Sequence, residues 1–169
     1  MIRRRKDVDW MRELRVEDLA LVQQRIDAEA WYPMASFERL GIAILQHFEG
    51  AGLDGVRMWG TFSAHQFVRE HPAVLSRGDA VETLMRLKVQ RATLFDFPAF
   101  DIPTLSEGHA VVTANYRMGQ VAEEAACHQT LGFCEGMLAS AGARNVRGAL
   151  RELSWLGAPH TALALDWES

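Results

Sequence analysis

The sequence has few cysteines and no long apolar segment. Only two of its 169 residues are cysteine, and no apolar run approaches the ~20 residues that a transmembrane helix needs. Residues Met1–Lys6 lead into Asp7 rather than into an apolar stretch, so we do not expect a secretory signal. Cys127 and Cys134 lie in one predicted helix with their Cα atoms about 10 Å apart, too far for a disulfide. Two unpaired cysteines are typical of a reducing compartment, and we expect the protein to be cytoplasmic.

The sequence also lacks a broad excess of basic residues. Its hydrophobic fraction of 49% and charged fraction of 24% are those of a globular domain rather than a disordered chain. The net charge is -4, but residues 1–15 carry a net +3, so the remainder carries -7. This acidic remainder argues against nucleic acid as a partner. We interpret residues 1–15 as a basic N-terminal extension and residues 16–169 as a single domain.

No catalytic motif stands out. The chain has no glycine-rich phosphate loop, no nucleophile elbow and no pair of histidines spaced i, i+4. Glu124, Cys127 and His128 share one face of a predicted helix, and together they could bind zinc or iron or support a cysteine-based reaction. Their spacing matches no established metal motif, and a lone helical cysteine is more often buried packing. We therefore expect no metal, no cofactor and no enzymatic activity, and keep a metal- or cysteine-dependent enzyme as an alternative.

The spacing of apolar residues predicts helices in the first half and strands in the second. Four helices are predicted in this half. The first covers residues 16–30, and the second is capped by Ser36 and ended by Gly50 and Gly52. The third is capped by Asp54 and broken at His71-Pro72, and the fourth covers residues 79–94. An extended segment, 95–103, and a strand, 109–118, follow, and a turn at Ser106–Gly108 joins them. A long helix, 119–141, and the strands 145–155 and 160–167 close the chain. This order predicts an α+β fold, with N-terminal helices packed on a twisted antiparallel sheet of about four strands and a long helix across it.

The long predicted helix is rich in small residues. Glycines such as Gly132 and Gly136 cost about 1 kcal/mol each in a helix interior, so close packing has to compensate. We expect this helix either to press against the sheet or to line a cavity. Aromatic residues concentrate at 59–67 and 95–100, where they form either core or an apolar pocket between the helices and the sheet.

The C-terminal third resembles a known superfamily. The segments Tyr116-Arg117-Met118, Gly132-Phe133-Cys134-Glu135-Gly136 and Trp155-Leu156-Gly157-Ala158 follow one another as a strand, a helix and a final hairpin. This pattern is similar to the ligand-binding domains shared by NO signalling and Golgi transport. Those domains include haem-NO/oxygen-binding (H-NOX) domains, vinyl-reductase (4VR) domains and Bet-type TRAPP subunits. It is most similar to an uncharacterised family abundant in myxobacteria, and the likeness spans residues 31–167.

The resemblance implies a scaffold without the metal sites of these relatives. H-NOX domains hold haem through a histidine that precedes their Tyr-x-Ser-x-Arg strand, whereas the matching stretch here, Lys88–Phe100, contains no histidine. Where 4VR domains carry cysteines in the last hairpin, this chain has Ser154, Trp155 and Thr161. The resemblance therefore implies neither haem nor a hairpin metal site in this chain.

What the resemblance does imply is a non-catalytic sensory or regulatory module that binds a small apolar ligand and tends to form a homodimer. For the pocket walls we predict Trp59, Phe62, Tyr116, Phe133 and Met137, and for a polar anchor we predict Arg117. The TRAPP relatives imply an alternative, a protein–protein interaction adaptor that acts through its surface. A closed core together with a large exposed apolar patch would favour the adaptor.

Overall fold

The structure, a computed structural model, describes residues 2, 5–27, 30–47 and 52–169. The described residues form helices α1 to α6 and strands β1 to β4. In chain order they are α1 (Trp10–Glu13), α2 (Val16–Gln23), α3 (Met34–His47), α4 (Leu53–Glu70), α5 (Ala80–Gln90), β1 (Phe100–Ser106), β2 (His109–Ala114), α6 (Gln120–Ala141), β3 (Arg144–Leu150) and β4 (Thr161–Glu168). The predicted α+β fold, with one long helix and a four-stranded antiparallel sheet, is confirmed.

The chain divides into two compact units, residues 1–52 and residues 53–169. In the first unit, Ile2 and Leu14 are buried together with Ala43 of α3 in a small apolar cluster. The ring of Trp10 meets His47 of α3 edge-on, with 5.5 Å between the ring centroids. Part of the segment that we interpret as a basic extension therefore packs within the first unit. The boundary at residue 15 stays a prediction, and Arg3 and Arg4 lie outside the described residues.

Two helix boundaries predicted for the first unit are wrong. α2 ends at Gln23 rather than at residue 30, because Val22 is its last residue packed on the apolar cluster and Ile26 is exposed. Ser36 does not cap α3 but lies in its first turn, since the Pro33 carbonyl accepts the Ser36 N–H at 3.0 Å. Gly50, which we predicted to end this helix, lies outside the described residues.

A buried ion pair joins α2 to α3. The Arg39 guanidinium donates to both carboxylate oxygens of Asp18, at 2.6 and 2.7 Å, and to the Ser36 hydroxyl at 3.3 Å. These hydrogen bonds lower the pKa of Asp18 to about 2 even though burial opposes the shift. The polar groups buried in this small unit are thus satisfied by one another.

In the second unit, local sequence signals set the helix ends. Asp79 caps α5 by accepting the Glu82 N–H at 2.8 Å, and Pro72 follows the end of α4, both as predicted. α4 begins at Leu53, so Asp54 lies in its first turn rather than at its cap. α6 ends at Gly142, whose φ of +102° is a left-handed conformation that glycine adopts readily. In the described part of the chain, no helix has the length and apolar character required to cross a bilayer.

The sheet has the strand order β1-β2-β4-β3, and each neighbouring pair is antiparallel. Its buried face carries the alternating apolar residues that the sequence predicts, Ala110, Val112 and Ala114 in β2 and Leu163, Leu165 and Trp167 in β4. β1 begins only at Phe100, because the Ala99 N–H turns back to the Phe97 carbonyl at 2.8 Å. β3 ends at Leu150, short of the predicted residue 155, since a 3₁₀ turn occupies Ser154–Leu156.

Candidate functional site

Helices α4 and α6 are in backbone contact along a glycine seam, which we define as the contacts of Gly60, Gly132 and Gly136. A Cβ on Gly60 would overlap the Gln129 carbonyl oxygen, and a Cβ on Gly132 would overlap the Arg57 carbonyl oxygen. A Cβ on Gly136 would lie 2.8 Å from the Cβ of Ala64. The glycines of α6 therefore face α4 rather than the sheet, and the backbones of the two helices meet along the seam. The compensating close packing that the sequence requires is confirmed.

An ionic clamp at Arg57 ties α4 and α6 to the sheet. The Arg57 Nε of α4 donates to Glu135 of α6 at 2.8 Å, and its Nη2 contacts the other carboxylate oxygen and donates to the Gly148 carbonyl of β3 at 3.0 Å. The hydrogen bond with Glu135 raises the pKa of Arg57. One guanidinium thus joins α4, α6 and the edge strand β3, and its role is structural.

A buried carboxylate that sequence analysis missed holds the loop between β2 and α6. Glu123 is only 3% exposed, and it accepts the backbone N–H groups of Tyr116 at 2.9 Å and Met118 at 3.1 Å. It also accepts the Ser154 hydroxyl at 3.1 Å. Between the two bonded amides lies Arg117, whose φ of +59° is unusual for a residue with a side chain. The carboxylate therefore fixes the loop that positions Arg117.

An aromatic cleft of about 410 Å³ opens beside this loop. Its lining residues are Arg91, Ala92, Phe95, Asp96, Phe97, Pro98, Ala99 and Phe100. The Phe95 ring meets two other lining rings edge-on, with centroid distances of 5.7 Å to Phe97 and 6.3 Å to Phe100. The volume falls within the roughly 300–1,000 Å³ that small-molecule sites occupy, and the lining is mostly apolar, as in such sites.

Two of the predicted pocket residues flank this aromatic cleft. Tyr116 is buried behind it, with its ring 5.6 Å from Phe95 and its hydroxyl 2.5 Å from Thr130 of α6. Burial raises the pKa of the Tyr116 hydroxyl, so it stays neutral. Arg117 is exposed at the rim, with its guanidinium carbon 5.7 Å from the Phe97 centroid. Within the described part of the chain, Arg117 makes no ion pair, so its charge is available to a ligand.

The other four predicted pocket residues lie elsewhere. Phe62 lines a separate α4 cleft of about 470 Å³, together with Asp54, Arg57, Met58, Thr61, His65 and Glu135. Met137 is fully buried in the core, and Phe133 packs edge-on against Phe67 at 5.5 Å. Trp59 is half-buried on α4. The structure does not gather the six residues into one cavity, and their contact with a ligand stays a prediction.

Phe95, Phe97 and Phe100 were visible in the sequence as a cluster around Pro98, but nothing in the pattern distinguished a cleft from core. Their arrangement depends on the turn at Ala99, which directs the chain into β1. Nothing in the sequence marked Glu123 as a buried residue. Its neighbour Glu124 has the same side chain, and only the fold decides which of the two is buried.

Cys127 and Cys134 are both buried free thiols. Burial raises the pKa of each thiol to about 12, which leaves almost no thiolate for nucleophilic attack. The Cys127 thiol points to Glu123 at 3.9 Å rather than to Glu124, and burial lowers the pKa of the neighbouring His128. Among the described residues, no group of three or more His, Cys, Asp or Glu is placed to hold a metal ion. The buried, protonated thiols disfavour the cysteine-dependent alternative.

No protein-family model and no curated protein matches this sequence. Solved structures do match. An H-NOX protein from S. oneidensis in its Fe(II)NO state aligns with a TM-score of 0.64 at 12% identity, over 90% of this chain and 87% of that one. The phenol-responsive sensory domain of the transcription activator PoxR, with phenol, aligns with a TM-score of 0.57 at 11% identity. The alignment covers 85% of this chain and 77% of the PoxR domain. A trafficking protein particle complex subunit 3 from Naegleria fowleri, covalently bound to palmitic acid, aligns with a TM-score of 0.57 at 13% identity. The alignment covers 81% of this chain and 98% of that subunit.

These likenesses show that the chain has the fold shared by H-NOX domains, the PoxR sensory domain and the TRAPP subunit. The sequence resemblance predicted the likeness to H-NOX domains and to TRAPP subunits. The residues at the position of the H-NOX haem histidine do not fit a haem held by that route. The segment Lys88–Phe100 contains no histidine, and it forms the end of α5, a 3₁₀ turn and the aromatic cleft. His109 and His160, near the sheet, instead face Asp166 and Glu152.

Proposed function

We propose that this protein is a non-catalytic sensory or regulatory domain that binds a small, largely apolar ligand in the aromatic cleft. The observation that carries the proposal is the group of phenylalanine rings at Phe95, Phe97 and Phe100 beside Arg117, which makes no ion pair with any described residue, on the fold of known sensory domains. Both cysteines are buried rather than exposed at the cleft, which supports a binding role rather than cysteine-based catalysis. The buried free thiols are also compatible with the reducing cytoplasm expected from the sequence.

The shape and charge of the cleft indicate the class of ligand. Phenylalanine rings favour a flat or flexible hydrocarbon body, and Arg117 favours a polar or anionic group at one end. Two structural neighbours carry molecules of this kind, phenol in PoxR and palmitic acid in the TRAPP subunit. Both molecules have an apolar body with one polar end, which supports the same class here.

Occupancy of the cleft could be transmitted through the loop on which Arg117 lies. Glu123 and Thr130 of α6 both hydrogen-bond this region, through the Tyr116 and Met118 amides and through the Tyr116 hydroxyl. A ligand that binds one arrangement of the loop more tightly shifts the population towards it. The readout by a partner would then depend on the position of the N-terminal half of α6.

Fluorescence titration with anilinonaphthalene sulfonate, an aromatic anion, tests the proposal on the purified protein. We expect saturable binding that Phe97→Ser weakens roughly tenfold, equivalent to ~1.4 kcal/mol, because the ring forms one wall. Arg117→Gln should weaken this probe and leave the neutral probe phenylnaphthylamine unchanged, since only the former carries a charge for the guanidinium. Phe62→Ser, which removes an exposed ring from the α4 cleft, is the matched control and should change neither titration. Non-saturable binding, or equal losses in Phe62→Ser and Phe97→Ser, would contradict the proposal.

A second candidate, an interaction adaptor, is favoured by large apolar side chains on the outer faces of α4 and α5. Met58 and Phe62 are 67% and 59% exposed, and Met85 and Val89 on α5 are also exposed. The two candidates differ in what a cleft variant does. If Phe97→Ser leaves every partner interaction intact while substitutions at Met58 and Phe62 abolish it, the surface rather than the cleft carries the function.

A further inference from the structure

The aromatic cleft carries a positive and a negative side chain that do not pair with each other. Arg91 and Asp96 both line it, together with the phenylalanine rings. Arg91 is half-buried and Asp96 is exposed. Among the described residues, Asp96 forms no hydrogen bond and no ion pair, and the ion pair of Arg91 is with Asp101. The cleft therefore offers a bound molecule both a cationic donor and an anionic acceptor.

The guanidinium of Arg91 is held by contacts that leave one of its nitrogens available. Its Nη1 donates to the Lys88 carbonyl at 2.5 Å, and its Nε lies 3.8 Å from Oδ1 of Asp101. The Nζ of Lys88 lies 3.5 Å from the same oxygen. Two cations thus share one carboxylate, which leaves one positive charge uncompensated at the wall of the cleft. The Nη2 of Arg91 donates to no described group, so a ligand carboxylate can accept from it.

We propose that the ligand of the aromatic cleft is a free amino acid with a large apolar side chain, an inference that rests on the proposed binding function. The carboxylate of this ligand accepts from Arg91, its ammonium group faces Asp96, and its side chain contacts the rings of Phe95 and Phe97. Both charged groups of an amino acid are attached to the same carbon atom. One molecule therefore supplies a partner to each of the two side chains while its apolar part lies against the rings.

A molecule with a single charge fits this cleft less well. A carboxylic acid without an ammonium group leaves Asp96 without a partner and brings a second negative charge into the same cleft. An amine without a carboxylate does the equivalent to Arg91, and the charge of Arg117 at the rim adds to the repulsion. The faces of the phenylalanine rings attract an ammonium group as well as a hydrocarbon. The volume of about 410 Å³ accommodates an amino acid with one aromatic ring.

Isothermal titration calorimetry of the full chain with L-phenylalanine tests this inference. We expect saturable binding of L-phenylalanine and about tenfold weaker binding of 3-phenylpropionate, which lacks the ammonium group and leaves a charged side chain unpaired. Phenylalaninamide, in which a neutral amide replaces the carboxylate, should be weakened by a similar factor. This amide also represents the N-terminal residue of a peptide. Equal binding of L-phenylalanine and its amide would therefore overturn the assignment to a free amino acid.

Two variants assign the charged groups of the ligand to individual residues. Asp96→Asn should weaken L-phenylalanine about tenfold and leave 3-phenylpropionate unchanged. Arg91→Gln should weaken L-phenylalanine and 3-phenylpropionate by the same factor and leave phenylalaninamide unchanged, and the contact between Lys88 and Asp101 remains in this variant. Damage to the fold would instead weaken all three compounds alike. Asp54→Asn, which changes an exposed residue in the first turn of α4, is the matched control and should alter no titration.

The outcomes also separate this inference from the proposed function. Saturable binding of anilinonaphthalene sulfonate without binding of L-phenylalanine would overturn the amino-acid assignment and leave the cleft a ligand site. Equal losses of L-phenylalanine and 3-phenylpropionate in Asp96→Asn would also overturn it, because Asp96 would then not recognise the ammonium group. If neither anilinonaphthalene sulfonate nor L-phenylalanine bound saturably, the proposed function itself would fail together with the inference.

Discussion

The glycine seam and the aromatic cleft belong to the same unit but use side-chain volume in opposite ways. Along the seam, residues without side chains bring the backbones of α4 and α6 together. Around the cleft, Phe95 meets Phe97 and Phe100 edge-on at centroid distances of 5.7 and 6.3 Å, and about 410 Å³ stays open. The small residues of α6, which could have lined a cavity, instead pack against α4 and leave no space there. The open space is bordered by large aromatic residues.

The difference follows from how each region is held. The seam lies between two long helices whose backbone groups are already hydrogen-bonded within each helix. Only side chains would therefore keep the two helices apart, and the glycines, which lack a Cβ, let the backbones come into contact. The cleft lies in an irregular segment interrupted by Pro98, where rings cannot repeat at a helical spacing and pack against one another instead. A glycine-rich helix is thus a sign of helix contact in this chain, and the open cleft lies at the proline-interrupted aromatic segment.

The largest expected effect is a break in the seam. Gly132→Ala places a methyl group on the Arg57 carbonyl oxygen, and neither backbone can yield without separating α4 from α6. We expect the free energy of unfolding to fall by about 3 kcal/mol, the upper end for overpacked positions, as measured by urea denaturation. Gly41→Ala in α3 is the control, because a Cβ there meets nothing within 4 Å and alanine should stabilise the helix slightly. Equal effects of the two substitutions would show that the seam is not tightly packed.

Much of the fold was predictable because its signals are local. The alternation in β2 and β4, the cap at Asp79, the break at His71-Pro72 and the left-handed Gly142 each act over a few residues. These signals gave the element order and the four-stranded antiparallel sheet. Ser36 shows their limit, because a good capping residue lost its role once the helix began earlier, after Pro33.

The candidate site was harder to predict because it depends on contacts between distant residues. Sequence analysis predicted one pocket for six residues; the structure places Tyr116 and Arg117 beside the aromatic cleft, whereas Met137 and Phe133 belong to core packing. The bond between Glu123 and Ser154 joins residues 31 apart, and the Arg57–Glu135 clamp joins residues 78 apart. The spacing of residues in a single sequence does not reveal such long-range pairs. The hydrogen bonds of Glu123 beside the aromatic cleft and of Arg57 beside the glycine seam were therefore found only in the structure.

An intermediate effect is expected at the support of the cleft. Glu123→Gln keeps the side-chain shape but replaces one acceptor oxygen with an NH₂ group, which then faces a backbone N–H of Tyr116 or Met118. We expect a loss of about 2 kcal/mol in thermal or urea unfolding, because a buried amide is left unpaired and a charged acceptor is gone. Glu124→Gln, one residue away and half-buried, should change stability by less than ~0.5 kcal/mol. If the two variants unfold alike, the Glu123 carboxylate does not hold the loop.

The smallest effect is expected for the hydrogen bond between Tyr116 and Thr130, which would couple the aromatic cleft to α6. Tyr116→Phe removes the hydroxyl that lies 2.5 Å from the Thr130 hydroxyl and leaves the ring against Phe95. We expect a loss of about 1 kcal/mol, since one buried neutral hydrogen bond is lost with little change in volume. Thr130→Val removes the partner, and the double variant should lose less than the sum of the two single losses, because both substitutions break the same bond. Strict additivity in this double-mutant cycle would mean that the aromatic cleft and α6 are not connected through Tyr116, and that a ligand signal would have to pass through Glu123 alone.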